Sequence, residues 1–389
     1  MLKGEKVHEL CCGCGACSFV CPKHCIEIKE DGEGFYYAYY DEKECIKCGK
    51  CSRICPMLHL PANEIINTYA FASLNNELYN RSSSGGVFSH IAQQILESGG
   101  KVWGCGYDAQ MHPVHMEASC PEELDNIRRS KYVQSCLSDC YKKIEEELLS
   151  GVEVLFAGTP CQVGGLKNYL KQDFDNLFTI DLVCHGTPSA KFFKDNLEYI
   201  KKKYGEIDRY EFRLKQNDKS RKSYYSSYIL ENGKRIDKIY YKDPYFNEFY
   251  DMTSLNESCY QCPYASENRP GDITIGDYEW GKKHHQELVK FSDISCILVN
   301  TQKGGKRIKE IKDCILVETS IKNIEEKNLN LLRPTPRPAR REYLYEEIYK
   351  KGYGKWADNY FKSFRYIKKM PLLRPLVKLK ILINKMKKD

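Results

Sequence analysis

The 389-residue chain lacks the short motifs that identify several large enzyme classes. It has no GxSxG nucleophile elbow, no Walker A loop and no HExxH zinc motif. It also has no run of 18 apolar residues, so the sequence predicts no membrane-spanning helix. No signal peptide is visible before the first cysteine motif. We therefore expect a reducing, cytoplasmic setting in which the 20 cysteines stay available as metal ligands.

The chain is rich in closely spaced cysteines. Two segments follow the pattern C-x2-C-x2-C-x3-C-P, namely Cys11, Cys14, Cys17, Cys21 and Pro22, then Cys45, Cys48, Cys51, Cys55 and Pro56. This is the ligand pattern of bacterial two-cluster ferredoxins, in which the fourth cysteine of each segment binds the other cluster. Structural zinc is the alternative for C-x2-C pairs. It takes four ligands in two pairs, so it would not explain the third close cysteine or the proline.

The pattern predicts two 4Fe-4S clusters. The first cysteine set is Cys11, Cys14, Cys17 and Cys55, and the second cysteine set is Cys45, Cys48, Cys51 and Cys21. Cys12 and Cys25 lie beside these ligands without a place in the pattern, as substitute ligands or as spare buried thiols.

Four more cysteines form a third cysteine set: Cys161, Cys184, Cys259 and Cys262. The first two follow the predicted strands 152–157 and 177–183, and each strand is followed by a turn and a helix, which predicts an α/β fold. Ligands in such folds lie at the carboxyl ends of strands. The set fits a third 4Fe-4S cluster or zinc, and the alternatives are a redox dithiol or thiols that never meet.

A Ser/Gly loop formed by Ser83, Ser84, Gly85 and Gly86 precedes a segment with apolar residues at helical spacing. Free backbone N–H groups at a helix start favour a phosphate or pyrophosphate, and an ordinary serine N-cap is the alternative. Lys131 is within reach of such a phosphate, although a lone lysine is usually a surface charge. Single histidines near turns are more often structural, so we predict no catalytic residue among His112, His115 and His185.

The basic charge is concentrated at the end of the chain. Residues 333–389 hold 17 Lys and Arg against 5 Asp and Glu, whereas the whole chain has a net charge of +7. Because the excess is confined to this tail, we predict no nucleic-acid partner. Residues 342–362 are predicted to be helical. Residues 372–388 mix apolar and basic side chains, so they are a membrane-surface helix, a partner-docking segment or a frayed end.

Five segments in one chain resemble the beta-subunit family of coenzyme F420 hydrogenases and dehydrogenases: 83–89, 130–135, 158–162, 184–186 and 271–277. Together with the cysteine pattern, the resemblance covers about residues 1–320. It implies a bound FAD held partly by the Ser/Gly loop, with Lys131, Gly158 and Thr159 as further contacts. It also implies a cluster on the third cysteine set and a hydride carrier, typically the deazaflavin coenzyme.

These inferences predict an α+β ferredoxin-like domain over residues 1–60 and an α/β flavin-binding domain with parts 61–150 and 151–332. A basic helical tail follows over 333–389. The predicted function is that of an iron–sulfur flavoprotein oxidoreductase, since a flavin couples one-electron clusters to a two-electron hydride carrier. Its partner would be a redox protein or a small electron carrier, with peripheral membrane contact through the tail. The alternative is a non-catalytic electron-transfer module that serves a partner enzyme.

Overall fold

The structure is a computed structural model that describes residues 9–215 and 224–370. The segment 372–388, interpreted as a membrane-surface helix, a partner-docking segment or a frayed end, lies outside these residues. No helix of the described residues is long and apolar enough to cross a membrane.

The first part of the chain repeats one short unit. Strands β1 (Ile26–Glu30) and β2 (Tyr36–Tyr40) pair antiparallel. Each cysteine segment contains one helical turn, α1 (Ala16–Phe19) and α2 (Lys50–Arg53), and each turn starts after a glycine in the left-handed conformation. The repeated cysteine spacing thus corresponds to a repeated backbone geometry.

The body of the protein is built on an eight-stranded sheet with the order β13-β3-β12-β11-β7-β6-β4-β5. Its strands are β3 (Asn67–Ser73), β4 (Lys101–Tyr107), β5 (Pro113–Ala118), β6 (Val154–Ala157), β7 (Leu177–Leu182), β11 (Ile273–Asp277), β12 (Ser295–Val299) and β13 (Cys314–Glu318). Neighbours among β4, β6, β7 and β11 pair in parallel, and the outer strands pair antiparallel. The carboxyl ends of the four parallel strands therefore share one edge. This confirms the prediction of a mixed α/β fold.

Helices cover both faces of this sheet. They are α3 (Asn76–Asn80), α4 (Val87–Glu97), α5 (Leu124–Ile127), α6 (Cys140–Leu149), α7 (Pro160–Leu170), α10 (Gly281–His284), α11 (Gln302–Lys309) and α12 (Ile321–Glu325). Two further helices, α8 (Ala190–Tyr204) and α9 (Pro244–Tyr250), pack in a separate aromatic core. Within β6, Leu155 packs with α4 on one face, and Phe156 packs with α6 and α7 on the other. Both faces of β6 are buried, which explains why its sequence is continuously apolar rather than alternating.

A second, three-stranded sheet was not predicted from the sequence. It consists of β8 (Ile207–Phe212), β9 (Tyr225–Leu230) and β10 (Arg235–Ile239), and its core is largely aromatic. At its centre the buried carboxylate of Asp243 accepts hydrogen bonds from the hydroxyls of Tyr210, Ser226 and Tyr228 at 2.5, 2.8 and 2.8 Å. The tyrosines can therefore pack as apolar rings without leaving their hydroxyls unsatisfied.

The C-terminal helices pack on this aromatic core. They are α13 (Arg341–Lys351), α14 (Tyr353–Lys362) and α15 (Phe364–Ile367). The single helix predicted over 342–362 is divided at Gly352, whose φ of 78° takes the chain out of the helical conformation. Trp356 of α14 is buried in the aromatic core, and Arg341 of α13 donates to Glu33 Oε1 at 3.0 Å. Part of the basic charge of the tail is thus used in ion pairs within the protein.

Candidate redox site

The first cysteine set lies beneath the surface of the N-terminal segment. Burial raises the pKa of the Cys17 thiol, and the neighbouring thiols of Cys11, Cys55 and Cys51 raise it further. Burial likewise raises the pKa of Cys14, with contributions from Cys17 and Cys55. The four thiols predicted for one cluster are therefore close neighbours, although Cys55 is distant from the other three in the sequence.

The second cysteine set lines one cavity at the surface. Cys21, Cys45, Cys48 and Cys51 all contribute to its wall, together with Cys25 and the apolar side chains of Ile26, Tyr40 and Ile46. The Cys25 Sγ lies 3.4 Å from the Cys21 Sγ. A thiolate-lined space of this kind fits an iron–sulfur cluster, and Cys25 stands inside it as either a spare thiol or a substitute ligand.

The third cysteine set is brought together by the carboxyl edge of the large sheet. Cys161 is in the first turn of α7, directly after β6, and Cys184 follows β7. Burial raises the pKa of Cys184 to about 12, with further contributions from Cys161 and Cys262. Burial also raises the pKa of Cys259, and Cys184 and Cys262 add to it. These thiols are therefore near enough to influence one another's ionisation, which favours the prediction that they form one group.

A buried ion pair fixes the loops that carry this set. The Arg269 guanidinium donates to Asp181 Oδ1 at 2.7 and 3.1 Å, and both side chains are almost completely buried. The same guanidinium donates to the carbonyl oxygens of Leu182 at 2.5 Å and Tyr264 at 2.6 Å. Arg269 thus joins the end of β7, just before Cys184, to the loop after Cys262. No local pattern indicated this pair, because its members are 88 residues apart in the sequence.

Helix α7 is the contact between the first and third cysteine sets. A Cβ at Gly165 would lie 3.1 Å from the Cys14 Sγ and 2.8 Å from the Tyr141 hydroxyl, so only glycine allows this approach. The Cys12 and Cys161 thiols lie close enough to shift each other's pKa, and the Cys12 thiol is the largest cause of the raised pKa of Cys161. Burial raises the pKa of Cys11, and the Cys161 thiol contributes to the increase. The two cysteine sets are therefore adjacent rather than in separate parts of the molecule.

The Ser/Gly loop starts α4, and its four residues are held by different neighbours. The Ser83 Oγ accepts a hydrogen bond from the Ser130 N–H at 3.0 Å, so the loop touches the predicted segment 130–135. The Ser84 Oγ donates to the Ile294 carbonyl at 3.1 Å, and the Gly85 N–H donates to the Ser295 hydroxyl at 2.8 Å. Gly86, not a serine, is the N-cap residue, and no side chain caps the helix. The ordinary serine cap is therefore wrong.

Cationic side chains surround this loop. The Lys215 ammonium donates to the Ser84 carbonyl at 2.6 Å, and burial lowers the Lys215 pKa to about 7. Burial lowers the pKa of Lys131 to about 8, and its ammonium donates to the Arg128 carbonyl at 2.7 Å. Arg213 donates to Asp277 Oδ2 at 2.6 Å, at the carboxyl end of β11. Of these cations, sequence reasoning found only Lys131, because Arg213 and Lys215 follow a strand that it missed.

Two guanidinium groups near the loop keep buried nitrogens without a hydrogen-bond partner. They are Nη1 of Arg128 and Nε of Arg213, in side chains that are 5% and 9% exposed. A buried cationic N–H without an acceptor is costly, so an anionic ligand at this position would satisfy it. The residues present therefore fit a phosphate or pyrophosphate group.

Gly158 and Thr159 lie between the loop region and the third cysteine set. Thr159 caps α7 in a capping box with Gln162, whose amide also donates to the Ser135 hydroxyl at 3.0 Å. The Ser135 hydroxyl is 2.9 Å from His115 Nδ1, and burial lowers the pKa of His115 to about 4. His115 is consequently neutral near pH 7. This hydrogen-bonded chain connects the segment 130–135 to the start of α7.

Known proteins resemble the chain in two regions. Residues 10–58 match the 4Fe-4S dicluster domain, and residues 152–325 match the C terminus of the coenzyme F420 hydrogenase/dehydrogenase beta subunit. A solved structure of the F420-reducing [NiFe] hydrogenase complex from Methanosarcina barkeri, derivatised with xenon, is similar at 16% identity and a TM-score of 0.46. The similarity covers 76% of this chain and 96% of that one. No curated protein matches. The two regions that match known families, the 4Fe-4S dicluster domain and the C terminus of the coenzyme F420 hydrogenase/dehydrogenase beta subunit, are thus those in which the motifs predicted this resemblance.

Proposed function

We propose that the chain is an iron–sulfur flavoprotein oxidoreductase that moves electrons between 4Fe-4S clusters and a hydride carrier or metabolite, with FAD as the intermediate cofactor. The observation that carries the proposal is the order of the cysteine sets. The second set lines a surface cavity, Cys51 of that set is a neighbour of Cys17 in the first set, and the third set adjoins the first through Cys12 and Cys161. Such an order suits electron transfer between the surface and the sheet edge.

The Ser/Gly loop and its cations are the proposed flavin site. FAD carries a pyrophosphate, and a helix start without a side-chain cap combined with buried Arg128 and Arg213 nitrogens suits that group. When bound, FAD supplies both one-electron exchange with the clusters and two-electron exchange with a hydride carrier. The protein's own part is to hold the pyrophosphate, to exclude water and to keep His115 neutral. The deazaflavin coenzyme is the proposed carrier.

The proposed flavin site is tested by FAD binding to an Arg128→Gln variant. We expect at least about a tenfold weaker affinity, because a buried charged donor to the pyrophosphate is lost. The matched control is Arg235→Gln, since Arg235 is exposed on β10 and pairs with Asp237. Equal FAD affinity of the two variants and the native protein would contradict the assignment of Arg128.

The third cluster is tested separately by the double variant Cys259→Ala/Cys262→Ala. This variant should lose about four irons per chain and keep the clusters of the N-terminal domain. Unchanged iron content would remove the third cysteine set from the proposal.

A non-catalytic electron-transfer module is the second candidate. It is favoured by the internal hydrogen bonds of Ser84 and Thr159, whose hydroxyls already have protein partners. Such a module would contain iron but no flavin, and it would not reduce an artificial hydride acceptor. The two candidates therefore differ in flavin content and in diaphorase activity.

Peripheral membrane contact through the tail is also part of the proposal. Deletion of residues 370–389 should abolish binding to anionic liposomes, because the apolar residues of the tail would be lost together with Arg374 and five Lys residues. Unchanged binding would contradict a membrane role for the tail.

A further inference from the structure

A basic crevice separates the second cysteine segment from the end of α7. Its volume is about 650 Å³. Its charged lining consists of four cations, Lys50, Arg53, Lys167 and Lys171, and one carboxylate, Asp173. The remaining lining is mainly small or apolar, including Val20, Ile54 and Pro61. Positive charge therefore dominates an open crevice at the edge of the N-terminal domain.

The crevice adjoins the cavity of the second cysteine set. Lys50 lines both spaces. The Arg53 guanidinium lies across the cysteine loop and donates to the Cys48 carbonyl at 3.2 Å. Cys48 is the one exposed residue among the 20 cysteines, all of which lie in the described part of the chain. The most accessible cysteine of the molecule thus stands at the rim of its basic crevice.

An apolar side chain completes the rim on the cavity side. Ile46 lines the cavity of the second cysteine set and is 57% exposed. The accessible cysteine loop thus lies between an exposed apolar side chain and a mainly positive crevice. This combination suits brief encounters with an oppositely charged protein. Electrostatic attraction raises the rate of such encounters more than their affinity.

We infer that the crevice and the Cys48 loop form the docking surface for an acidic one-electron carrier protein. This inference rests on the proposed clusters and adds the place and the partner of electron exchange. Each encounter moves one electron between the carrier and the cluster of the second set, and no bond forms and no proton moves. Two encounters therefore transfer as many electrons as one hydride carries. The carrier is identified by its acidic surface and its one-electron chemistry.

The inference is tested with the protein purified without oxygen and with all clusters in place. A reduced acidic ferredoxin is mixed with the oxidised protein, and bleaching of the clusters is followed by stopped-flow absorbance. The test variant, Lys167→Glu/Lys171→Glu, leaves the crevice with two cations and three carboxylates while leaving every cysteine unchanged. The control, Lys194→Glu/Lys202→Glu, changes two exposed lysines of α8 that do not line the crevice.

We expect the crevice variant to react at least about ten times more slowly than the native protein at low salt, with a weaker dependence on ionic strength. The control should stay within about twofold of the native rate, because its charges lie outside the proposed contact. Equal rates for the crevice variant and the native protein, or equal losses in both variants, would overturn the inference.

A second measurement separates docking from the proposed function. Methyl viologen radical, a small cation that does not depend on the basic docking surface, should reduce the clusters of all three proteins. If it bleaches no clusters in the native protein, the proposed iron–sulfur chemistry is wrong. If it reduces them normally while millimolar inorganic phosphate blocks ferredoxin at constant ionic strength, the crevice is a small-anion site and the protein-docking inference is wrong.

Discussion

The second and third cysteine sets differ in what holds them in place. Between residues 11 and 60, the second set lies in a loop region whose regular elements are β1, β2 and two single helical turns, and its buried apolar cluster is small. The third set is attached to the edge of an eight-stranded sheet and is fixed by the ion pair between Arg269 and Asp181. We conclude that the second set depends on its metal for local order, whereas the third set is ordered by the protein itself.

The largest loss of stability is expected from breaking the buried ion pair that holds the third set. Arg269→Met leaves the Asp181 carboxylate buried without its partner, which should lower the free energy of unfolding by about 3–5 kcal/mol. The measurement is urea unfolding followed by circular dichroism. Lys142→Met is the matched control, because it removes an exposed ion pair with Glu146 and should cost at most about 1 kcal/mol. Similar losses in both variants would show that the buried pair gives no special support.

Removal of iron should affect the two regions differently. After chelation without oxygen, we expect trypsin to cleave first within residues 43–53, where exposed Lys43, Lys47 and Lys50 lie in a loop that the metal holds. The sheet and the third cysteine set should remain intact over the same period. Mass spectrometry of the fragments tests this order. First cleavage within the sheet, or the same cleavage rate before and after chelation, would contradict the comparison.

The contact between the first and third sets can be altered at α7. Gly165→Ala places a Cβ against Cys14 and Tyr141, and the overpacking should destabilise the protein by about 1–3 kcal/mol. Gly305→Ala makes the same change in α11, where the nearest atom is at an ordinary 3.5 Å, and it should stabilise by up to about 1 kcal/mol. Thermal unfolding of both variants gives the comparison. Two changes of the same sign would show that the close approach at Gly165 is not a constraint.

The smallest effect concerns Lys131, whose pKa is lowered to about 8 by burial. Between pH 8 and about 10.4, the unfolded chain binds a proton at this lysine that the folded protein does not bind. The free energy of unfolding of the native protein should therefore rise relative to Lys131→Met with increasing pH, by an amount on the order of 1 kcal/mol. Urea titrations at pH 8 and pH 10 measure this. If the free energy of unfolding of the native protein relative to Lys131→Met stays constant or falls between pH 8 and pH 10, burial of Lys131 is contradicted.

The sequence predicted those features that follow from local spacing. The two cysteine patterns gave the predicted groupings of the first and second sets, and α4 was found from its helical periodicity. The third set was found because Cys161 and Cys184 follow predicted strands, and parallel strands bring such positions to one edge. These inferences needed no knowledge of contacts between distant segments.

Features that depend on distant contacts were missed. The pair of Arg269 and Asp181 joins positions 88 residues apart, and Arg213 approaches the Ser/Gly loop from the second sheet. The second sheet itself was missed because its tyrosines become an apolar core only when Asp243 accepts their hydroxyls. The packing of α13 and α14 on this sheet had no local signal either. Composition therefore predicted a basic tail where the fold has ion pairs and an aromatic core.

The most direct test of the account is the content of iron, acid-labile sulfide and flavin per chain in protein produced and purified without oxygen. Three four-iron clusters and one flavin predict about twelve irons, about twelve sulfides and one FAD. About eight irons without flavin would mean a dicluster domain attached to an α/β body of another role, and would contradict the proposed oxidoreductase.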